Sequence, residues 1–240
     1  MKKYKRSPSR RPDLLVWILS KDQYRTHTSD AAGQNHEEKE KQQIDLLLEF
    51  FKSTRNYCVG IVDIVGSTTV TMKMPIEKVS LYYSIFLNGI AETIRKYGAI
   101  VVKNVGDSLL YYFPKTESGD PESFKDVLGC SIAMSRMEPE LNARMQQFGL
   151  PDVKFRISCD YGAVIVAKMS TSSVNDIFGT SVNLCAKMNS LAPPGGIVIG
   201  KGLYDKVKSF DDYHFSEIKN VPLFVDNDYS VYSVSLKNDS

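Results

Sequence analysis

Apolar residues recur along this chain with two different periods. Over 76–97, Val79, Tyr82, Tyr83, Phe86, Leu87, Ile90 and Ile94 return every three or four positions, the spacing of one helix face. Pro75 suits the start of such a helix and Gly98 its stop. A second helical run covers 122–148 on Phe124, Val127, Leu128, Ile132 and Met137, and a third covers 179–191 before Pro193-Pro194-Gly195-Gly196 breaks it. Short β-rich runs lie between: 59–62, 99–102, 108–113, 153–160, 163–169, 197–199, 213–218 and 229–234, with a short helix at 204–207. The runs 153–160 and 163–169 read as two strands joined at Tyr161-Gly162. The order is β-α-β-β-α-β with strands appended. It predicts an α+β fold with a ferredoxin-like βαββαβ core and helices on one sheet face.

Ahead of this core the pattern changes. Residues 37–55 read as an amphipathic helix, with Ile44, Leu47, Leu48 and Phe51 on one face. Such a helix packs on its own domain or pairs with its twin in a dimer. Residues 1–36 form a basic, polar extension. The first twelve carry six basic side chains and no acid, which suits a solvated tail or weak contact with an anionic membrane surface. LLVWIL at 14–19 reads as a strand or interaction segment. It is too short for a membrane span or a signal-peptide core. Residues 21–35 read as a loop, 56–236 as the globular domain and 237–240 as a tail.

Composition narrows the classes. A length of 240 residues suits one large domain, and a formal net charge of +2 gives no bulk attraction for nucleic acid. The four cysteines are scattered without a C-x-x-C pair, as expected of reduced thiols in a cytoplasmic protein. Three histidines make a His-rich zinc site improbable.

The chemistry concentrates in two stretches. CVGIVDIVGSTT at 58–69 runs an apolar strand into Asp63 and then Gly66-Ser67-Thr68. The acid offers hard oxygen ligands, and the glycine lets backbone approach a phosphate. AIVVKNVGDSLLYYF at 99–113 is a hairpin with Gly106 at its turn and Asp107 beside it. Two carboxylates on neighbouring strands suit one or two divalent cations, a pairing fit for phosphoryl chemistry.

Together with NDIFGTSVNLCAKM at 175–188, these motifs resemble the class III nucleotidyl cyclases, the adenylate and guanylate cyclase catalytic domain, over about 56–235. The resemblance implies the same fold and the roles of particular residues. Asp63, the Ile64 carbonyl and Asp107 would hold two Mg²⁺ or Mn²⁺ ions per site. Gly66, Ser67 and Thr68 would surround the triphosphate. Lys103 and Asp176 would read adenine, Asn183 would position the ribose, and Lys187 would stand where the family usually has Arg. Lys219 is a looser match to a lysine that binds terminal phosphates. The implied activity is conversion of ATP to 3′,5′-cyclic AMP and pyrophosphate, at sites shared across a head-to-tail homodimer. The alternatives are a weakly active or non-catalytic nucleotide-binding module, favoured by Lys187, and a guanylate cyclase.

Overall fold

A computed structural model describes residues 48–169, 173–219 and 229–239. The readings for 1–47 lie outside the described residues.

The spine is a long antiparallel pair. Strand β1 (Leu48–Ile64) runs against β4 (Phe155–Met169), in register from Leu48↔Met169 to Ile64↔Phe155 with one irregularity between Phe50 and Thr54. Strand β2 (Ile100–Val105) and β3 (Ser108–Phe113) form the expected hairpin, and β3 pairs antiparallel with β1. The order β2-β3-β1-β4 is that of a ferredoxin-like core. Beyond β4 lie β6 (Ile197–Gly200), β8 (Val231–Leu236) and β7 (Tyr213–Glu217), with the β4–β6 pair parallel and the others antiparallel. Strand β5 (Asp176–Phe178) pairs with the far part of β4.

Strand periodicity divides the side chains between two faces. Cys58, Val62 and Ile64 of β1 join one apolar cluster. Against it pack α2 (Ile76–Lys96), α3 (Pro121–Arg136), α4 (Glu138–Gln147) and α6 (Lys201–Val207). Tyr57 and Val59 join a second, smaller cluster on the other face with Cys185 and Met188 of α5 (Thr180–Met188). Helices therefore cover both faces, which corrects the expectation of one. The apolar stripe of α5 is as real as those of the long helices, but its chain path crosses to the opposite side.

Three further expectations are corrected. Residues 48–55 are strand, where the 3.6-residue spacing of Leu48 and Phe51 predicted helix. Pairing with 164–169 satisfies their backbone groups, and such tertiary pairing overrides a short periodic signal. The helix expected over 122–148 is two, parted at Met137, because Pro139 can donate no N–H and must sit in a first turn. Tyr161-Gly162 makes no turn, and β4 runs straight through it. Gly162 instead leaves room for the Ser181 side chain.

The glycine at position 60 marks tight packing in the core. A Cβ there would overlap the ring of Tyr111, which is fully buried. Overpacking of this kind costs about 1–3 kcal/mol or more. Gly60→Ala should therefore lower the urea midpoint by an amount worth at least about 2 kcal/mol, read by circular dichroism; an unchanged midpoint would show that the ring has space to withdraw.

Candidate active site

The β1 face that carries Tyr57, Val59 and Ile61 also carries Asp63, two residues further on. Asp63 is half-buried, and its Oδ1 accepts a hydrogen bond from Ser108 Oγ at the start of β3. Burial raises its pKa, the Ser108 hydroxyl opposes that rise, the charge of Asp107 raises it again, and Arg156 lowers it. Asp107 sits in the β2–β3 turn made by Gly106 at φ 64°. The structure thus brings the two predicted acids to one end of the sheet, where the charge of Asp107 reaches Asp63. No group of three or more His, Cys, Asp or Glu side chains fit to hold a metal occurs among the described residues. Two carboxylates and a carbonyl suit a cation that takes its remaining ligands from phosphates and water, as Mg²⁺ does.

After Ile64 the chain turns on Gly66, whose φ of 68° is left-handed, into the short helix α1 (Ser67–Thr71). Val65 N–H donates to the Lys154 carbonyl at 2.8 Å, tying this turn to the entry of β4. Gly66 and Thr68 are exposed and Ser67 half-buried.

Lys103 reaches the same sheet face through a local irregularity. Val101 faces Tyr111 and Lys103 faces Leu110, so Val102 is the extra residue of a bulge. Lys103 then forms an ion pair with Asp176 Oδ2 on β5, and its Nζ lies 5.6 Å from the centre of the Phe178 ring. The Asp176 side chain is 4% exposed and the Lys103 side chain 40%. Asp176 Oδ1 accepts from Ile177 N–H at 2.8 Å. Asp176 is thus the first residue of β5, and the two residues expected to read a base face each other.

Asn183 and Lys187 lie one turn apart on α5, both exposed. Ser181, Cys185 and Met188 face the sheet. At 100° per residue Asn183 and Lys187 point away from it. Lys219 is exposed, two residues past the end of β7.

Comparison with known proteins bears on the domain as a whole. The family described as adenylate and guanylate cyclase catalytic domain matches residues 51–235. The chain belongs to that family. Among curated relatives it is similar to a cytidylate cyclase of Staphylococcus aureus, 27% identical over 65% of this chain and 39% of the relative. It is also similar to an adenylate cyclase of Streptomyces coelicolor, 26% identical over 68% and 37%. The chain thus spans about two fifths of the length of those relatives. Among solved structures it resembles the adenylyl cyclase CyaB from P. aeruginosa, with a TM-score of 0.68 at 20% identity over 76% of this chain and 95% of that one. It likewise resembles the guanylyl cyclase Cya2, with a TM-score of 0.64 at 20% identity over 76% and 92%. These structural likenesses show the fold.

Two residues of this cyclase domain escaped the sequence reading. Arg156 pairs in register with Asp63 across β1 and β4, and its Nη1 donates to the Ser190 carbonyl at 3.5 Å. Its Nε is buried, with no hydrogen-bond partner among the described residues. The signal was present, since an arginine inside the apolar run FRISC has to face something polar. Asn189 is buried, and its Nδ2 donates to the Ile61 carbonyl and to Ser158 Oγ, each at 3.2 Å, fastening the end of α5 to both spine strands.

A third polar group, Asp160, is 1% exposed. Its Oδ2 accepts from Tyr229 O–H at 2.6 Å and its Oδ1 from Leu203 N–H at 3.3 Å. Burial outweighs these bonds and pushes its carboxyl up to about 6. A carboxyl raised on folding adds stability below its ordinary pKa of 3.8 and loses it as pH rises through about 6. Asp160→Asn removes that titration. Between pH 4 and 7 the parent should therefore lose about 2 kcal/mol more stability than the variant, measured by urea unfolding at both pH values. A difference independent of pH would mean that Asp160 stays ionised in the fold.

Proposed function

We propose that this domain is an adenylate cyclase that converts ATP to 3′,5′-cyclic AMP and pyrophosphate. The observation that carries the reading is the meeting of Lys103 with Asp176 on the sheet face that also holds Asp63. A lysine donates to the ring nitrogen N1 of adenine, and a carboxylate accepts from its 6-amino group; guanine reverses both needs. The relatives support the reaction class, carrying the names of adenylate and cytidylate cyclases.

In this reading Asp63, Asp107 and the Ile64 carbonyl hold two Mg²⁺ or Mn²⁺ ions. Such ions, when bound, lower the pKa of the 3′-hydroxyl and neutralise phosphate charge. The protein's own part is to position. The left-handed turn at Gly66 brings backbone N–H groups of Ser67 and Thr68 toward the triphosphate. The orphaned Nε of Arg156 gains an acceptor when a phosphate oxygen arrives beside Asp63. Asn183 holds the ribose so that its 3′-oxygen lines up with the α-phosphorus, and the pyrophosphate leaves opposite. Lys187 offsets charge building on that phosphate. It does so as a point charge, without the two-pronged fit of arginine.

Asn183 and Lys187 point away from the sheet of their own chain. Their outward direction favours a site completed by a second copy, with the acids from one chain and Lys103, Asp176, Asn183 and Lys187 from the other. A head-to-tail homodimer then carries two such sites.

Two experiments test this. With Mn²⁺ and ATP, Asp63→Ala or Asp107→Ala should reduce cyclic AMP formation at least about a thousandfold, the scale of a lost charge-stabilising group, at unchanged thermal stability. Activity within tenfold of the parent would remove these acids from the mechanism. Mixing inactive Asp63→Ala chains with inactive Lys103→Ala chains should restore activity, because one of the two sites in a mixed dimer carries neither lesion. No recovery after subunit exchange verified by mass spectrometry would place both residues in a site within one chain.

A further inference from the structure

Asp63 has a neighbour on either side across the sheet. On β4 it faces Arg156 in register. On β3 the ladder ends at the pair Val62↔Leu109, and the next step brings Ser108 opposite Asp63. Alternation puts Ser108 on the face of Leu110 and Tyr112, which is also the face of Val59 and Ile61. The two neighbours treat the acid differently. Arg156 sends its Nη1 to the Ser190 carbonyl, whereas Ser108 donates its hydroxyl to Asp63 Oδ1.

Ser108 also closes the turn that carries the second acid. It pairs with Val105, so Gly106 and Asp107 form a two-residue loop between β2 and β3. One residue therefore holds both acids. Asp107 is its neighbour in the chain, and Asp63 is bound through its side chain. The need for such a hold is electrostatic. The charge of Asp107 repels the Asp63 carboxylate, and that of Arg156 attracts it. Both forces draw the carboxylate toward β4 and away from Asp107. Ser108 stands on the β3 side, so its hydrogen bond opposes that swing.

We infer that Ser108 is a positioning residue of the metal site, its hydroxyl holding the Asp63 carboxylate beside Asp107 and away from Arg156 so that a divalent cation meets both acids. This rests on the placement of the cation at Asp63 and Asp107 in the proposed cyclase site. A hydrogen bond to a ligating carboxylate fixes its orientation before the ion arrives, and loss of such a partner costs about 10- to 100-fold in metal affinity. With Oδ1 tied by one bond, Oδ2 and the second lone pair of Oδ1 keep a set direction.

Threonine and valine share a shape, but threonine keeps the hydroxyl. Mn²⁺ alone is the probe, titrated into the full-length protein and read from the electron paramagnetic resonance of the free ion. Ser108→Ala and Ser108→Val should weaken its binding about 10- to 100-fold, and Ser108→Thr should stay within about threefold of the parent. A role in packing alone would make Ser108→Val and Ser108→Thr alike. Circular dichroism establishes that each variant is folded, and Ser108→Ala against Ser108→Thr decides if Ser108→Val is not. Asp63→Ala locates the ion and should weaken binding as well. Unchanged affinity in Ser108→Ala and Ser108→Val, in a protein that loses the ion on Asp63→Ala, would overturn the inference and leave the cyclase reading standing. Mn²⁺ binding that does not depend on Asp63 would overturn both. The expected affinities without cyclic AMP from Mn²⁺ and ATP would sustain the role of Ser108 and defeat the cyclase reading.

Discussion

The antiparallel pairing of β1 with β4 is the constraint on which the rest depends. Its register fixes which side chains of both strands share a face, and a slip of one residue would put Asp63 and Arg156 on opposite faces. The register is held from both faces at once. Cys58, Val62, Ile157 and Cys159 lie under the long helices, while Val59 and Ile61 lie under α5. Asn189 adds a polar clamp from α5 to the carbonyls of Ile61 and Arg156 and to Ser158. Two apolar layers and one hydrogen-bonded clamp thus aim one acid.

Charge is managed differently at the two ends of this face. Around Asp63 two carboxylates stand close with Arg156 opposite. Like charges so placed favour a cation, and the Arg156 Nε, without a hydrogen-bond partner among the described residues, favours an anion. At Lys103 and Asp176 the charges already cancel, so the resting face is satisfied without a ligand.

The buried carboxylate of Asp160 belongs to neither region. It joins β4, the first turn of α6 and Tyr229, and Gly200 and Gly202 leave room for its oxygens. Its role is to hold the appended β6–α6–β8 unit to the core. Raised by burial, it makes that attachment sensitive to pH in a range where the solvent-facing carboxylates have already ionised.

Much of this was legible in the chain alone. The helix period over 76–97, the glycine turn before Asp107 and the three motifs in order were enough for the fold class and for the placement of Asp63 and Asp107 at one end of the sheet, because each depends on near neighbours in sequence. Other features depended on partners far along the chain. The strand character of 48–55 comes from pairing with 164–169, which no local period encodes. The passage of α5 to the second face, and with it the outward aim of Asn183 and Lys187, follows from how two apolar clusters divide one sheet. The direction of Lys103 is decided most narrowly. Plain alternation from Val101 would turn it toward the long helices, and one extra residue at Val102 turns it toward Asp176. Residue identities set the chemistry available. The bulge and the register, which are properties of paired strands, decided which of those groups meet.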